Sequence, residues 1–126
     1  MYNIPSKEYA FSRIFMAEWN VEYTDEFGDW WTGLSEAERE SITASVGLLE
    51  NAGPNLRYPH TSGINGSRHD HMRELRVQHA GHPYRVLFAF DPRRYAILLI
   101  GGDKTGNDRW YDESKRSMNP RLVAQF

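Results

Sequence analysis

The chain has 126 residues, a length typical of one domain, and 40% of them are hydrophobic, enough for a buried core. It contains no cysteine, which excludes a disulfide scaffold and thiolate chemistry and fits a reducing cytosol. No apolar run approaches the ~20 residues that cross a bilayer, and the N-terminus lacks a signal-peptide pattern, so we expect a cytoplasmic protein without a membrane partner.

Charge is unevenly distributed, although the net charge is only −2. Residues 1–56 contain three Lys or Arg and ten Asp or Glu, which gives −7. Residues 57–126 contain twelve Lys or Arg and seven Asp or Glu, which gives +5, and all five histidines lie between His60 and His82. The second half could present a cationic face to a polyanion, or the two halves could neutralise each other in the fold.

Two helices are predicted in the first half. Thr24 can cap a helix over residues 24–34, whose apolar side chains are spaced along one face. Ser35 and Glu38 have the spacing of a capping box, which predicts the start of a second helix over residues 35–52. Because the connection is so short, we expect the two helices to form a hairpin.

Four segments have the composition of strands. Residues 18–23 and 72–77 alternate apolar and polar side chains, whereas residues 84–90 and 95–101 are almost wholly apolar, as in buried strands. Residues 57–70 are predicted to be a polar connection with a turn at Asn65-Gly66. The tight turn between the last two strands predicts an antiparallel meander.

The predicted order is β-α-α-β-β-β, followed by a C-terminal helix between Asp108 and Pro120. We therefore expect an α+β fold, in which a small antiparallel sheet carries the helical hairpin on one face. The sequence predicts a single domain over residues 1–126, with residues 1–16 as a peripheral N-terminal extension.

Cations fall at the strand ends of the meander. Arg76 ends one strand, Arg85 begins the next, and Lys104 follows the third. Since strand ends in a meander lie side by side, these three side chains are expected to meet Arg109 and Tyr111 around one concavity. Guanidinium groups match phosphate oxygens bidentately, so a phosphodiester would suit this site. The alternative is that the cations are ordinary exposed residues and the tyrosine packs in the core.

Three histidines near the meander are candidates for proton transfer, because imidazole titrates near neutral pH: His69, His71 and His82. They could instead hold a metal, since His69 and His71 would lie on one face of a strand. The absence of cysteine, and of an acidic residue at a diagnostic spacing, argues against that alternative. We therefore expect neither a metal nor another cofactor.

Three motifs together resemble the RelE/HigB superfamily of type II toxins, particularly its phage-derived HigB-like branch. They are Leu75-Arg76, Tyr84-Arg85 and the stretch GGDKTGNDRWYDE at residues 101–113, and the resemblance covers about residues 18–115. It implies a RelE-like fold and a toxin that cleaves mRNA, usually on the ribosome. The implied chemistry is a metal-independent attack of a 2′-OH on the adjacent phosphate.

The resemblance also implies roles for individual residues. Arg85 would hold the scissile phosphate, Lys104 and Arg76 would add positive charge, and Tyr111 would stack on a base or take part in proton transfer. Local charge adds further candidates for RNA contacts, namely Arg109, Arg73, His69, His71 and His82. Met72 and Glu74 depart from the lysine-rich strand of other members, which weakens the expectation of tight ribosome docking.

The implied partners are a helix-turn-helix, HigA-like antitoxin, together with mRNA and the ribosome. Operator DNA would be bound only through the antitoxin. Two other functions remain open at this point. One is a ParE-like toxin that binds DNA gyrase without nuclease activity, although that branch usually lacks the tyrosine and cation set. The other is a non-catalytic phage or host binding module.

Overall fold

The computed structural model describes residues 18–64, 72–118 and 120–123. The predicted extension at 1–16 and the predicted Asn65-Gly66 turn lie outside these residues. None of the helices in the described ranges is long and apolar enough to span a membrane.

Within the described ranges, five strands form one sheet in the order β1-β5-β4-β3-β2. Their bounds are β1 Asn20–Tyr23, β2 Thr61–Gly63, β3 Met72–His79, β4 His82–Asp91 and β5 Tyr95–Asp103. Strands β3, β4 and β5 form the predicted antiparallel meander. Strand β1 pairs with β5 in parallel, so the sheet is mixed at this edge.

Strand β2 lies in the segment that the sequence predicted to be a polar connection. It pairs antiparallel with β3, and Thr61 lies opposite Leu75. Its three residues, Thr-Ser-Gly, carry no apolar alternation, so nothing in the local pattern predicts a strand. Its position depends on pairing with the edge of β3, a contact that sequence periodicity does not report.

In the part of the chain that the structure describes, four helices accompany the sheet. Their bounds are α1 Asp25–Thr32, α2 Glu36–Ala52, α3 Trp110–Ser117 and α4 Pro120–Val123, and a 3-10 turn at Gly53–Asn55 follows α2. The predicted caps are present. The Thr24 hydroxyl accepts from the backbone N–H of Phe27, and Ser35 and Glu38 make both bonds of a capping box.

Helices α1 and α2 lie on the same face of the sheet, α1 mainly over β5 and α2 mainly over β3. Arg39 of α2 connects them, because its guanidinium donates to the carbonyls of Trp31 and Thr32, each at 3.1 Å. These carbonyls belong to the last turn of α1, and that of Trp31 also accepts from the backbone N–H of Leu34 at 3.1 Å. The short connection and the Arg39 contacts hold the two helices together as predicted.

An apolar cluster fills the space between this helical layer and the sheet. It contains one residue of α1, three of α2 and alternate residues of the strands: Val21, Phe27, Ile42, Val46, Leu49, Leu75, Val77, Tyr84, Val86, Phe88, Ala96 and Leu98. The other apolar residues on the predicted face of α1 and its end, Trp30, Trp31 and Leu34, are partly buried against this cluster. Burying a side chain of this size stabilises the fold by roughly 1.5–3 kcal/mol. This cluster therefore fixes the sheet on which the candidate site is built.

Tyr84 is the one residue of that cluster with a phenol, and its hydroxyl donates to a carboxylate oxygen of Glu38 on α2. This hydrogen bond, with burial, raises the pKa of Tyr84 to about 12. The same bond, with the capping-box bonds from Ser35, lowers the pKa of Glu38 below its usual 4.5. The bond therefore ties α2 to the start of β4.

We expect Tyr84→Phe to lower the free energy of unfolding by about 1.5–3 kcal/mol at pH 7, since it removes a hydrogen bond to a charged group. The pKa of Glu38 is lower in the folded state, so its contribution is present above about pH 4.5 and is lost as the pH falls. Urea unfolding of parent and variant should show the difference narrowing at acidic pH. An equal difference at pH 3 and pH 7 would contradict this account.

Helix α3 lies on the opposite face of the sheet. Trp110, Ser114 and Met118 are buried at helical spacing. Trp110 and Met118 pack in a second apolar cluster with residues of β3, β4 and β5. The C-terminal helix predicted between Asp108 and Pro120 is confirmed, with bounds of Trp110–Ser117. The sheet is thus covered on both faces.

Gly101 and Gly102 both belong to β5, which continues to Asp103. A side chain at Gly101 would collide with the ring of Trp30 in α1, and one at Gly102 would collide with the ring of Trp110 in α3. The two glycines therefore let an indole press on each face of the same strand.

Candidate RNA-processing site

The register of the sheet places the predicted cations side by side. Arg76 of β3 lies directly opposite Arg85 of β4, and Arg85 lies opposite Gly102 of β5. Directly opposed residues point to the same face, and Gly102 contacts Trp110. Arg76 and Arg85 therefore belong to the face that α3 covers in part.

An open pocket with a volume of about 630 Å³ lies between α3 and the β2–β3 edge. Its lining residues come from β2, β3, the loop after β5 and the start of α3: Ser62, Gly63, Ile64, Glu74, Arg76, Lys104, Asp108, Tyr111 and Asp112. The pocket brings together three of the four predicted catalytic residues, namely Arg76, Lys104 and Tyr111. The sheet and a packed helix thus fix the cations and the phenol around one cavity.

Arg85, the fourth predicted catalytic residue, lies beside this pocket and is buried, with 6% of its surface exposed. Its Nε lies 3.2 Å from Glu74 Oε1, and one of its terminal nitrogens donates to the carbonyl of Tyr84 at 2.9 Å. No acceptor among the described residues is in hydrogen-bond geometry with the Arg85 Nε–H. Arg85 and Glu74 therefore form an ion pair through their opposite charges, and the Arg85 Nε–H donor has no hydrogen-bond acceptor in the described ranges.

The electrostatics of Arg85 favour an anion. Burial, and then the neighbouring charge of Arg76, lower the pKa of its guanidinium, while Glu74 opposes this effect. An arginine stays protonated at ordinary pH, so the burial and repulsion remain as unfavourable energy. A phosphate beside Arg76 and Arg85 would offset both through its attraction to the two guanidinium groups.

Three carboxylates that the sequence did not assign to the site also line the pocket: Glu74, Asp108 and Asp112. Glu74 is two residues before Arg76 in β3, so strand alternation alone places both side chains on one face. Asp108 lies two residues before the start of α3, and Asp112 directly follows Tyr111 in that helix. The pocket therefore offers acceptors for a proton as well as positive charge.

Lys104 and Tyr111 reach the pocket from the segment after β5. The backbone N–H of Lys104 donates to the carbonyl of Pro83 at 2.9 Å, which fixes the first residue beyond the strand. Tyr111 is half-buried next to Trp110, and its ring lies 5.6 Å from the ammonium of Lys115. The Tyr111 phenol therefore belongs to helix α3, which packs on the sheet, and it faces strand β3, which carries Arg76.

The structure does not bring the other predicted RNA contacts into this pocket. Arg73 lies opposite Phe88, on the face covered by α1 and α2, and donates to Thr61 Oγ1 at 3.3 Å. Arg109 is exposed at the start of α3 and does not line the pocket. His82 Nδ1 lies 3.2 Å from Asp103 Oδ2 and 3.1 Å from Thr105 Oγ1, and His82 does not line the pocket.

His69 and His71 lie outside the described residues, so the predicted role of these two imidazoles stays a prediction. Among residues 18–64, 72–118 and 120–123, no group of three or more His, Cys, Asp and Glu side chains is arranged to hold a metal ion. The pocket chemistry available from the described residues is that of guanidinium, ammonium, carboxylate and phenol groups.

Comparison with known proteins agrees with the motifs. Residues 29–122 match the family described as "Phage derived protein Gp49-like (DUF891)". The chain is 48% identical over 86 residues to a Mycobacterium tuberculosis protein named "Putative toxin HigB3", covering 68% of this chain and 74% of that protein. It is 40% identical over 102 residues to "Putative toxin HigB2" of the same organism, covering 77% of this chain.

The chain spans about half the length of the second relative, 51%, and about three quarters of the first. The family match covers most of the chain and includes every strand of the sheet except β1, as well as α3 with Tyr111. The order of strands and helices is that of the RelE-like fold implied by the motifs. The chain therefore belongs to the phage-derived Gp49-like family, within the HigB-like branch of the RelE superfamily.

Proposed function

We propose that this protein is the toxin of a type II toxin–antitoxin system and that it inhibits translation by cleaving mRNA, usually on the ribosome. The observation that carries the proposal is the shared pocket of Arg76, Lys104 and Tyr111, with Arg85 directly beside it. The names of the two relatives support the toxin assignment. The partner is a helix-turn-helix antitoxin that silences the toxin.

The reaction is a transfer at phosphorus within the RNA. A base removes the proton of the 2′-OH, and the 2′ oxygen forms a bond to the adjacent phosphorus. The bond from phosphorus to the 5′ oxygen breaks, and that oxygen takes up a proton. The products are a 2′,3′-cyclic phosphate and a 5′-hydroxyl, so neither water nor a metal enters this step.

The residues that line the pocket, together with Arg85 beside it, each perform one of these tasks. Arg85 and Arg76 hold the scissile phosphate and stabilise the charge that builds up on its oxygens, and Lys104 adds a third cation. Tyr111 lies across the pocket, where its phenol contacts the reacting nucleotide or passes a proton. Asp108 and Asp112 beside it can accept the proton of the 2′-OH, as can a histidine from outside the described residues.

Glu74 acts on Arg85 and does not itself need to touch the RNA. Its carboxylate lies 3.2 Å from the Arg85 Nε, and Ser62 Oγ donates to it at 3.4 Å. A charged guanidinium that is 6% exposed needs such a counter-ion before the RNA arrives. Glu74 is therefore a positioning residue that keeps Arg85 in place between reactions.

The proposal predicts that cleavage does not depend on a bound metal ion. Purified protein would be stripped with EDTA, desalted and added to ribosomes programmed with mRNA, which keep their own magnesium. Stripped and untreated protein should cleave at the same rate, because guanidinium and ammonium groups supply the positive charge. Loss of cleavage after stripping, restored by zinc, would show instead that the histidines hold a catalytic metal.

A further inference from the structure

A second pocket, of about 720 Å³, adjoins the first and shares Arg76 with it. It lies between α2, the loop before β2 and the hairpin end of β3 and β4. Its lining residues are Ala44, Ser45, Leu48, Pro59, His60, Arg76, Gln78, Pro83 and Arg85. A volume of this size is within the usual range of roughly 300–1,000 Å³ for a ligand site.

The two pockets differ in charge. Three carboxylates line the first pocket, whereas none of the nine residues that line the second is acidic. Two arginines, a histidine, a glutamine and a serine supply its polar groups, and proline, leucine and alanine supply the rest. The second pocket therefore combines apolar walls with polar side chains and the positive charge of two arginines, and none of its lining residues is acidic.

An exposed aromatic ring stands beside this pocket. Tyr58 is 73% exposed, and its ring centroid lies 5.0 Å from the guanidinium carbon of Arg76. The loop that carries it is fixed to β3, because the Arg76 N–H donates to the carbonyl of His60 at 2.8 Å. In the described part of the chain, Tyr58 and Leu48 are the two large apolar side chains that stay exposed.

We propose that this second pocket is a binding site for one unpaired RNA base next to the cleaved phosphate. The base stacks on Tyr58, while Arg76 bridges from that ring to the phosphate in the first pocket. Exposed aromatic rings paired with arginine are the usual platform for single-stranded RNA. This inference rests on the proposed function, since it names how the same site holds its substrate.

Gln78 gives the site a means of reading the base. It is exposed on β3, two residues beyond Arg76 on the same strand face, and it lines the pocket. Its amide has both donors and acceptors, the pattern that recognises the polar edge of a base. The stacking contact tolerates any base, so Gln78 would set the preference among bases.

The test is direct binding of short single-stranded RNA to the Tyr111→Phe variant, which the account expects to bind without cleaving. Adding Tyr58→Ala should weaken binding about 5- to 150-fold, the usual effect of removing one stacked base contact. Adding Tyr58→Phe should change binding less than twofold, because the ring remains. Circular dichroism and thermal unfolding would check that each variant is folded.

Oligonucleotides with a single abasic position identify the base concerned. At the position of the stacked base, removal of the base should weaken binding to the Tyr111→Phe protein, in which Tyr58 is present. The same removal should not weaken binding further when Tyr58→Ala is added. The subsite is refuted if the oligonucleotides do not bind, if Tyr58→Ala binds as well as its parent, or if the two losses simply add at every position. Loss of antitoxin binding alone would instead make this face a protein-docking surface.

The outcome separates this inference from the proposed function. If Tyr111→Phe abolishes cleavage and Tyr58→Ala leaves both binding and base preference unchanged, the proposed nuclease activity is supported and the proposed base site is refuted. A Gln78→Ala variant gives a second readout on the active protein. We expect the ends of its cleavage products to show a reduced preference for the base beside the cut, and an unchanged preference would contradict the role of Gln78.

Discussion

Phenylalanine in place of Tyr111 is expected to lower the rate of RNA cleavage by about 100- to 1000-fold, the usual loss when one group that stabilises the transition state is removed. The ring that packs next to Trp110 remains, so the fold should be unaffected. In cells, Tyr111→Phe should be expressed without growth arrest and should still bind the antitoxin. Single-turnover cleavage of a defined mRNA measures the effect.

Removal of the Arg85 guanidinium should have an effect of the same size, but the test needs a different design. Arg85→Ala alone would leave Glu74 buried without its cation, and breaking such a pair costs about 3–5 kcal/mol of stability. The substitution should therefore be made in the Glu74→Gln background, where the neutral amide needs no counter-ion. Because Glu74→Gln alone would leave Arg85 buried without its counter-ion, the double variant should be compared with the parent protein, and thermal unfolding should check that both are folded.

Arg93→Ala is the control for removing an arginine. Arg93 lies in the turn between β4 and β5, roughly 20 Å of strand away from Arg85, and it pairs with Asp91 at 2.9 Å. The Arg93→Ala substitution should reduce the rate of cleavage by less than twofold. Unchanged cleavage by both Tyr111→Phe and the Arg85 double variant, in folded protein, would mean that this pocket is not the site of cleavage.

Gly102→Ala is expected to reduce cleavage by roughly 100-fold, because a small displacement of a reacting group can have that effect. The added carbon would lie 2.3 Å from Trp110 Nε1, so the indole must move. Trp110 is the first residue of α3, and Tyr111 is the next, so the phenol moves with it. The free energy of unfolding should fall by about 1–3 kcal/mol, as is usual for overpacking.

Gly47→Ala is the matched control for that substitution. An added carbon at Gly47 in α2 would meet nothing within 4 Å, and alanine favours a helix over glycine by roughly 0.5–1 kcal/mol. We therefore expect equal or greater stability and unchanged cleavage. If Gly102→Ala cleaved as fast as Gly47→Ala, the position of α3 would not control the reaction.

Most of the fold could be predicted because its signals are local. The capping residues Thr24 and Ser35 act on the next turn of their own helices, and a connection of three residues joins the apolar runs of β4 and β5. Strand β2 could not be predicted, since its pairing with β3 depends on a distant edge. The parallel pairing of β1 with β5 is of the same kind.

The candidate site was predictable in part. Strand alternation separates Arg73 from Arg76, which are three residues apart, and joins Glu74 to Arg76, so the sequence contained that information. Alternation does not predict the faces of β5, because an irregularity shifts the pairing of β5 with β4 between Leu87 and Phe88. That shift decides which indole faces Gly101 and which faces Gly102, and no local pattern predicts it.

The central claim is that the pocket between α3 and β3 cleaves RNA. Its most direct test is to map RNA 5′ ends in cells after induction of the protein or of Tyr111→Phe at equal soluble levels. The account predicts new 5′-hydroxyl ends, and matching 2′,3′-cyclic phosphates, with the parent protein and not with the variant. Growth arrest by the parent protein without new 5′-hydroxyl ends, or equal ends from both proteins, would contradict it.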